Sequence, residues 1–240
     1  CVIKDSLESA LNMDCGNDFF VVICNGCTDN TAAIAKQFEP NIKVLETPTP
    51  SKTNAINLGE EQATSFPRIY MDADVELTEG ALEKIIAALA GGQYLAVSPT
   101  PKMDLSHSNW FVKAYYDIWL SLPYSKQGMM GAGVYALSEK GRKRFGKFPD
   151  VIADDGYVRA LFNDDERCNV DGAYSIVTAP ASLQWLVKIK TRSRMGQWQL
   201  ANLYPELLDN ESKDYSSAML STIRNPMRWP KVLVYLYVTI

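Results

Sequence analysis

Two carboxylates close the apolar run Arg68-Ile69-Tyr70-Met71, with Asp72 and Asp74 separated only by Ala73. Side chains two apart on an extended segment share a face, so the pair is expected to converge on one spot and to demand a positive partner there. Carboxylates at the end of a buried strand repel each other unless a cation or hydrogen-bond donors neutralise them. Mg2+ or Mn2+ suits such a place, because these hard ions bind through one or two carboxylates together with waters and substrate phosphates. The competing reading has the pair cap the following turn. A second acidic pair, Asp154 and Asp155, offers a base that could take the proton of an attacking hydroxyl, or else an exposed cap for the next helix. Lys188, Lys190, Arg192 and Arg194 then crowd seven residues, with Gln197 and Trp198 following. Such donors can meet charge developing on a leaving group, or form a solvated basic face.

Other chemistries are thinly supplied. His107 is the single histidine and precedes an aromatic run of helical spacing, where capping or packing accounts for it. A Ser-His-Asp triad or a multi-histidine metal site is therefore not expected. The five cysteines are odd in number and scattered. Cys24 and Cys27 have CxxC spacing, but Cys1, Cys15 and Cys168 offer no second pair for zinc, so a buried thiol at a strand end is the plainer reading.

The 240 residues, 47% hydrophobic and 22% charged, suit a single globular domain. A net charge of -4 and a pI near 5.2 argue against a nucleic-acid partner, so an anionic ligand must be held locally. No signal peptide is visible, and no run reaches the roughly 18 apolar residues of a membrane span. A reducing, cytoplasmic setting follows. At the end, Arg224, Arg228, Trp229 and Lys231 precede an apolar run, a pattern favoured at a membrane interface and here placed at the inner face. Packing of that last element on the core is the alternative. Cys1 is not an initiator methionine, and the chain is read as a piece of a longer protein.

The elements that must position these groups follow from periodicity. Residues 2–13 read as an amphipathic helix with Ile3, Leu7 and Leu11 on one face. Strands are expected at 18–24, 41–47, 68–72 and 94–100, alternating with helices at 31–38, 52–63 and 78–92, the last with Thr78 as N-cap. That alternation predicts an α/β fold with a mostly parallel central sheet flanked by helices, and ligands beyond the carboxyl ends of the strands. From about residue 100 the rhythm changes to a long aromatic helix, a glycine-hinged strand, a short basic helix and a further strand. No repeat is present.

Five motifs in order, VVICNGCTDNTAAIA, KTNAINLG, YMDADVEL, GAGVYALS and IADDGYV, resemble the signature of the inverting glycosyltransferases of family 2, which have the GT-A nucleotide-binding fold. The resemblance spans about residues 2–200. It implies a nucleotide-diphosphate sugar donor, a divalent cation on Asp72 and Asp74, and direct displacement at the anomeric carbon by a carbohydrate, lipid or other hydroxyl acceptor. On this reading residues 1–222 form one domain, with 1–100 binding the nucleotide sugar and 101–222 the acceptor, and 223–240 form the tail. Asn25 and Asp29 close the loop where the family reads the nucleobase, although an Asx turn with a helix cap explains Asp29 equally well. Lys52 and Asn57 match the family's Lys-x-x-Ala-x-Asn stretch, and a lysine there can meet a diphosphate.

Asp154 and Asp155 match the family's Glu-Asp pair, whose second member, here Asp155, is implied as the base. Arg194, Gln197 and Trp198 are similar to its Gln-x-x-Arg-Trp element in scrambled order. Gly131 to Gly133 either admit the acceptor close to the backbone or mark a bulge. The chain departs from the family in lacking the first strand, in having Asn25 where an acid is usual, and in Asp-Asp for Glu-Asp. A sugar-nucleotide nucleotidyltransferase and a non-catalytic nucleotide-sugar-binding module are the alternatives.

Overall fold

The structure is a computed structural model that describes residues 2–11, 20–122, 129, 132–210 and 225–239. Cys1, Cys15, Gly131, Arg224 and the boundary between residues 222 and 223 lie outside the described residues.

Helix α1 (Val2–Leu11) buries Ile3 and Leu7, with Leu11 packed beside them, as the i, i+4 spacing requires. That face rests on a small layer built by β1 (Phe20–Asn25), α2 (Thr31–Ala35) and β2 (Ile42–Thr47), through Cys24, Ala35 and Ile42. β1 and β2 pair in parallel from Phe20↔Ile42 to Asn25↔Thr47. The next helix, α3 (Lys52–Glu60), starts on a Ser51 cap that accepts from the Asn54 N–H at 3.2 Å. Cys24 is buried and Cys27 exposed, both as free thiols, and burial pushes the Cys24 thiol up to about 11.

A second sheet holds β3 (Arg68–Met71), β4 (Val75–Leu77), β5 (Ala96–Asp104), β6 (Val134–Leu137) and β7 (Arg167–Thr178) in the order β3-β6-β5-β7-β4. Only β5 and β7 run parallel within it, and the other three pairings are antiparallel. The sheet is therefore mixed where a mostly parallel one was expected. The reason is long-range: β6, all four of whose residues are buried, inserts between β3 and β5 from the later half of the chain. Alternation along the sequence orders the elements but does not say which strand ends up beside which. Helix α4 (Ala81–Ala90) covers the sheet with Ala81, Leu82, Ile85 and Leu89. It begins after Gly80 at φ 70, and Thr78 does not cap it: the Thr78 hydroxyl donates to the Tyr174 carbonyl at 3.2 Å.

Three helices build the remaining layer: α5 (Trp110–Trp119), α8 (Leu183–Leu203) and α9 (Trp229–Thr239), with the short α6 (Glu139–Arg142) and α7 (Asp154–Ala160) between α5 and α8 in the chain. Asn109 rather than His107 caps α5, accepting from the Val112 N–H at 3.1 Å, and His107 is exposed. The C-terminal element packs on the core, with Val232, Tyr235 and Val238 buried and Tyr235 stacked on Tyr115 at 5.3 Å between centroids. Lys231 pairs with Asp117 at 3.0 Å, so part of the basic cluster faces α5. Leu233 and Tyr237 remain exposed on the outer side of α9. Among the described residues no helix is long and apolar enough to cross a membrane.

Candidate active site

Strand β3 ends at Met71, and Asp72 to Asp74 form a turn closed by the Val75 N–H on the Asp72 carbonyl at 3.2 Å. The extended geometry expected for this pair is absent, because the ladder with β6 stops at Met71 and the chain reverses into β4. Asp72 is half-buried and points into the fold, whereas Asp74 is exposed. The positive partner that Asp72 needs is Lys52. Its Nζ lies 2.7 Å from Asp72 Oδ1 and 3.0 Å from Asp154 Oδ1, tying the start of α3 to the end of β3 and the start of α7. Tyr135 on β6 completes the cluster, donating its hydroxyl to Asp154 Oδ2 at 3.0 Å while its ring stacks on Tyr70 at 4.7 Å.

Electrostatics follow from this crowding. Burial pulls the Lys52 amine down, but Asp154 and Asp72 more than offset it and the amine is raised overall, so it stays charged at neutral pH. Burial raises the Asp72 carboxyl, Lys52 opposes that, and Asp154 and Asp74 add to it. Burial, with Asp154 beside it, holds the Tyr135 phenol well above its ordinary value, which keeps it a donor. Asp155 is raised as well, first by burial and then by its neighbour Asp154. Its Oδ1 accepts from the Gly156 N–H at 2.7 Å.

Gly133, at φ 87, lets β6 pass this cluster, and its carbonyl accepts from the Asp72 N–H at 2.7 Å. A Cβ there would lie 2.6 Å from Val75 Cγ2 and 3.3 Å from Asp72 Oδ2. Gly133→Ala is therefore expected to cost about 2–3 kcal/mol and to displace the Asp72 carboxylate, through left-handed strain and overpacking together. Urea denaturation and donor titration of the variant measure both effects.

The cluster separates two cavities. One, of about 430 Å3, opens between β1 and β3 and is walled by Asn25, Lys52, Tyr70, Asp72, Gly133 and Tyr135 among apolar side chains. The other, of about 820 Å3, lies under α5, α7, α8 and α9 and includes Asp155, Lys190, Arg194 and Gln197. The structure thus brings Asn25, Lys52 and Asp72 to one side and Asp155, Arg194 and Gln197 to the other, with Asp154 buried between them at 3% side-chain exposure.

Three sequence candidates stand apart. Asn57 clamps the Phe148 backbone, accepting from its N–H at 2.8 Å and donating to its carbonyl at 2.9 Å, so its amide holds two segments together. Asp29 is exposed and accepts from the Thr31 N–H at 3.0 Å, and the Thr31 hydroxyl first and this N–H second lower its carboxyl. Trp198 is 72% exposed on the outer side of α8.

Among the described residues no three His, Cys, Asp or Glu side chains cluster as a closed metal site. The donor set at the turn nevertheless fits a hard divalent ion. Asp72 gives only Oδ1 to Lys52, Asp74 is exposed next to it, and Mg2+ or Mn2+ takes few protein oxygens when phosphates and water supply the others.

Residues 1–135 match the family described as Glycosyl transferase family 2. The chain belongs to that family. The match in this family 2 chain stops before Asp154, so its acidic pair and basic helix lie beyond the matched segment. Similar solved structures include a mycobacterial protein (15% identity, TM-score 0.55, over 84% of this chain and 69% of that one). S. aureus TarS with UDP-GlcNAc is similar at 14% identity and TM-score 0.57, over 98% and 75%. GalNAc-T7 with UDP, GalNAc and Mn2+ is similar at 11% identity and TM-score 0.54, over 74% of this chain but only 40% of its own. No curated protein matches the chain. The mixed sheet flanked by helices is thus a GT-A fold.

Sequence reasoning missed Tyr135 as the buried donor to Asp154, and it named Lys190 within the basic cluster without separating it from its solvated neighbours. That separation was findable. Leu186, Lys190, Arg194 and Gln197 fall at i, i+4, i+8 and i+11, one face of a single helix that the basic cluster obscured.

Proposed function

We propose that this chain is an inverting glycosyltransferase that moves a sugar from a nucleotide-diphosphate donor to an acceptor hydroxyl. The observation that carries the reading is the Lys52 bridge between Asp72, which lines the first cavity, and Asp154, the chain neighbour of Asp155 in the second. Asn25, Lys52 and Asp72 line the cavity assigned to the donor, and the UDP and UDP-GlcNAc bound in the similar structures support that assignment. On this reading residues 1–100 are the donor half, joined at the donor cavity by Gly133 and Tyr135, and 101–222 the acceptor half.

Asp72 and Asp74 would hold Mg2+ or Mn2+, which supplies Lewis-acid neutralisation of the departing diphosphate. The Mn2+ in GalNAc-T7 supports this choice. Lys52, kept charged, meets the same phosphate oxygens. Asp155 takes the proton of the acceptor hydroxyl as the hydroxyl oxygen forms its bond to the anomeric carbon. The electron pair of the breaking bond leaves with the diphosphate, and the configuration inverts. A carboxylate raised by burial is the better base near neutral pH, and Asp155 is the one that faces the acceptor cavity. Asp154 holds Lys52 and Tyr135 in place. The exposed Leu233 and Tyr237 of α9 support contact with the inner face of a membrane.

The test is hydrolysis and transfer across a panel of UDP-, GDP- and dTDP-sugars with Mn2+, Mg2+ or chelator. Chelation is expected to weaken donor binding, and Asp74→Ala to weaken it by about tenfold or more while leaving the fold intact, as loss of an exposed carboxylate ligand should. Unchanged donor binding and turnover in both cases would overturn the metal assignment. Donor binding without transfer to any hydroxyl would favour a binding module.

A further inference from the structure

Three cations line the acceptor cavity, Arg159, Lys190 and Arg194, and the last two share one face of α8 and have no task in the reaction so far. Lys190, on α8, places its Nζ 5.3 Å from the Tyr115 ring centroid, 5.8 Å from Tyr116 and 5.0 Å from Trp119. Arg194 follows one turn later and uses one guanidinium nitrogen on the Val238 carbonyl at 2.9 Å. Among the described residues no carboxylate pairs with either cation, although Asp155 lines the same cavity from α7. Ring faces attract an ammonium, but more weakly than the water and counter-ion they displace, and burial accordingly drops the Lys190 amine to about 8. A surface lysine would turn outward to water. This one is folded in among aromatics beside a second cation, an arrangement suited to an oxyanion brought by a ligand.

We propose that the acceptor is itself acidic, with a phosphate or carboxylate seated on Lys190 and Arg194 and its reacting hydroxyl presented to Asp155. The inference rests on the glycosyltransferase reading for the role of Asp155, while the anion seat stands on the cage itself. Tyr115, Tyr116 and Trp119 would also cover the C–H faces of a sugar or polyol between the two ends. The Arg194 side chain, read from the sequence as a donor-diphosphate contact, then serves the acceptor.

The full chain is titrated calorimetrically with sn-glycerol 3-phosphate, glucuronate, glycerol and UDP, with intrinsic tryptophan fluorescence as a second readout. Both anions are expected to bind the wild type where glycerol does not. Lys190→Met should weaken both by about tenfold or more while leaving UDP within about twofold, the size expected for loss of one charge-assisted contact. Arg194→Gln should weaken both anions by about fivefold, and melting curves of the two variants establish that they fold. Equal loss of UDP and glycerol 3-phosphate in Lys190→Met overturns the proposal in favour of the donor's diphosphate as occupant. Absence of anion binding to the wild type, or binding unmoved by both substitutions, overturns it outright. Anion binding that depends on Lys190 in a protein that turns over no nucleotide sugar would sink the proposed reaction and keep the anion seat.

Discussion

Asp155→Asn is expected to lower sugar transfer by about a thousandfold or more while leaving donor affinity within about twofold, because it removes a general base and no donor contact. The same substitution should stabilise the fold. The folded-state pKa of Asp155 is raised, by burial first and by Asp154 second, so its contribution favours folding at low pH and is lost as pH rises through that raised value. At neutral pH the ionised carboxylate therefore destabilises the protein, and an uncharged amide of equal size removes that cost. A gain on the order of 1 kcal/mol, or about 2–4 °C in Tm for a chain of this length, is expected at pH 7 and should vanish in acid. The acid limb of the transfer rate in the wild type should sit higher than for an ordinary carboxylate. Melting curves at two pH values and a pH–rate profile check all three. A variant both inactive and less stable would place Asp155 in the architecture instead of the chemistry.

Lys52→Met is expected to lower both stability and donor affinity. It leaves Asp154, whose side chain is 3% exposed, next to Asp72 with Tyr135 as its remaining donor. Removing one partner of a buried ion pair costs about 3–5 kcal/mol, and a loss of about 2–3 kcal/mol is expected here because Lys52 itself is 37% exposed. Urea denaturation measures it. The companion Asp154→Asn change in the same chain should restore about half or more of the loss, since the two side chains form one network and their effects are not additive. Donor affinity should fall about tenfold or more in both the single and the double variant, because neither has an ammonium at the diphosphate. Restoration of stability without restoration of binding separates the two duties of Lys52. If the double variant regains donor affinity as well, Lys52 acts only as a strut.

How much of this was legible beforehand differs from residue to residue. The stripe of Ile3, Leu7 and Leu11 gave helix α1 and its buried face, because i, i+4 spacing is a local property of the chain. Asp72 was marked as an acid at a strand end in need of a cation, and the order of the five motifs marked the family and the GT-A fold. The expectation that Asp72 and Asp74 lie on one extended segment went astray, since it assumed that the strand continued through them. Nothing local announces that β6 withdraws its ladder at Met71.

By itself, then, the sequence determined where the acids, the lysine and the aromatic residues stand along the chain, and which segments alternate between strand and helix. Residue type and periodicity act over a few positions and need no partner to be read. Only the tertiary structure decided that Lys52 supplies the charge between Asp72 and Asp154, that Asn57 clamps Phe148, that Trp198 faces outward and that Lys190 is enclosed by rings from α5. Each depends on a contact between segments far apart in the chain. Such contacts are selected by competition among buried faces and unpaired charges over the whole molecule, and that competition leaves no trace in the spacing of neighbouring residues.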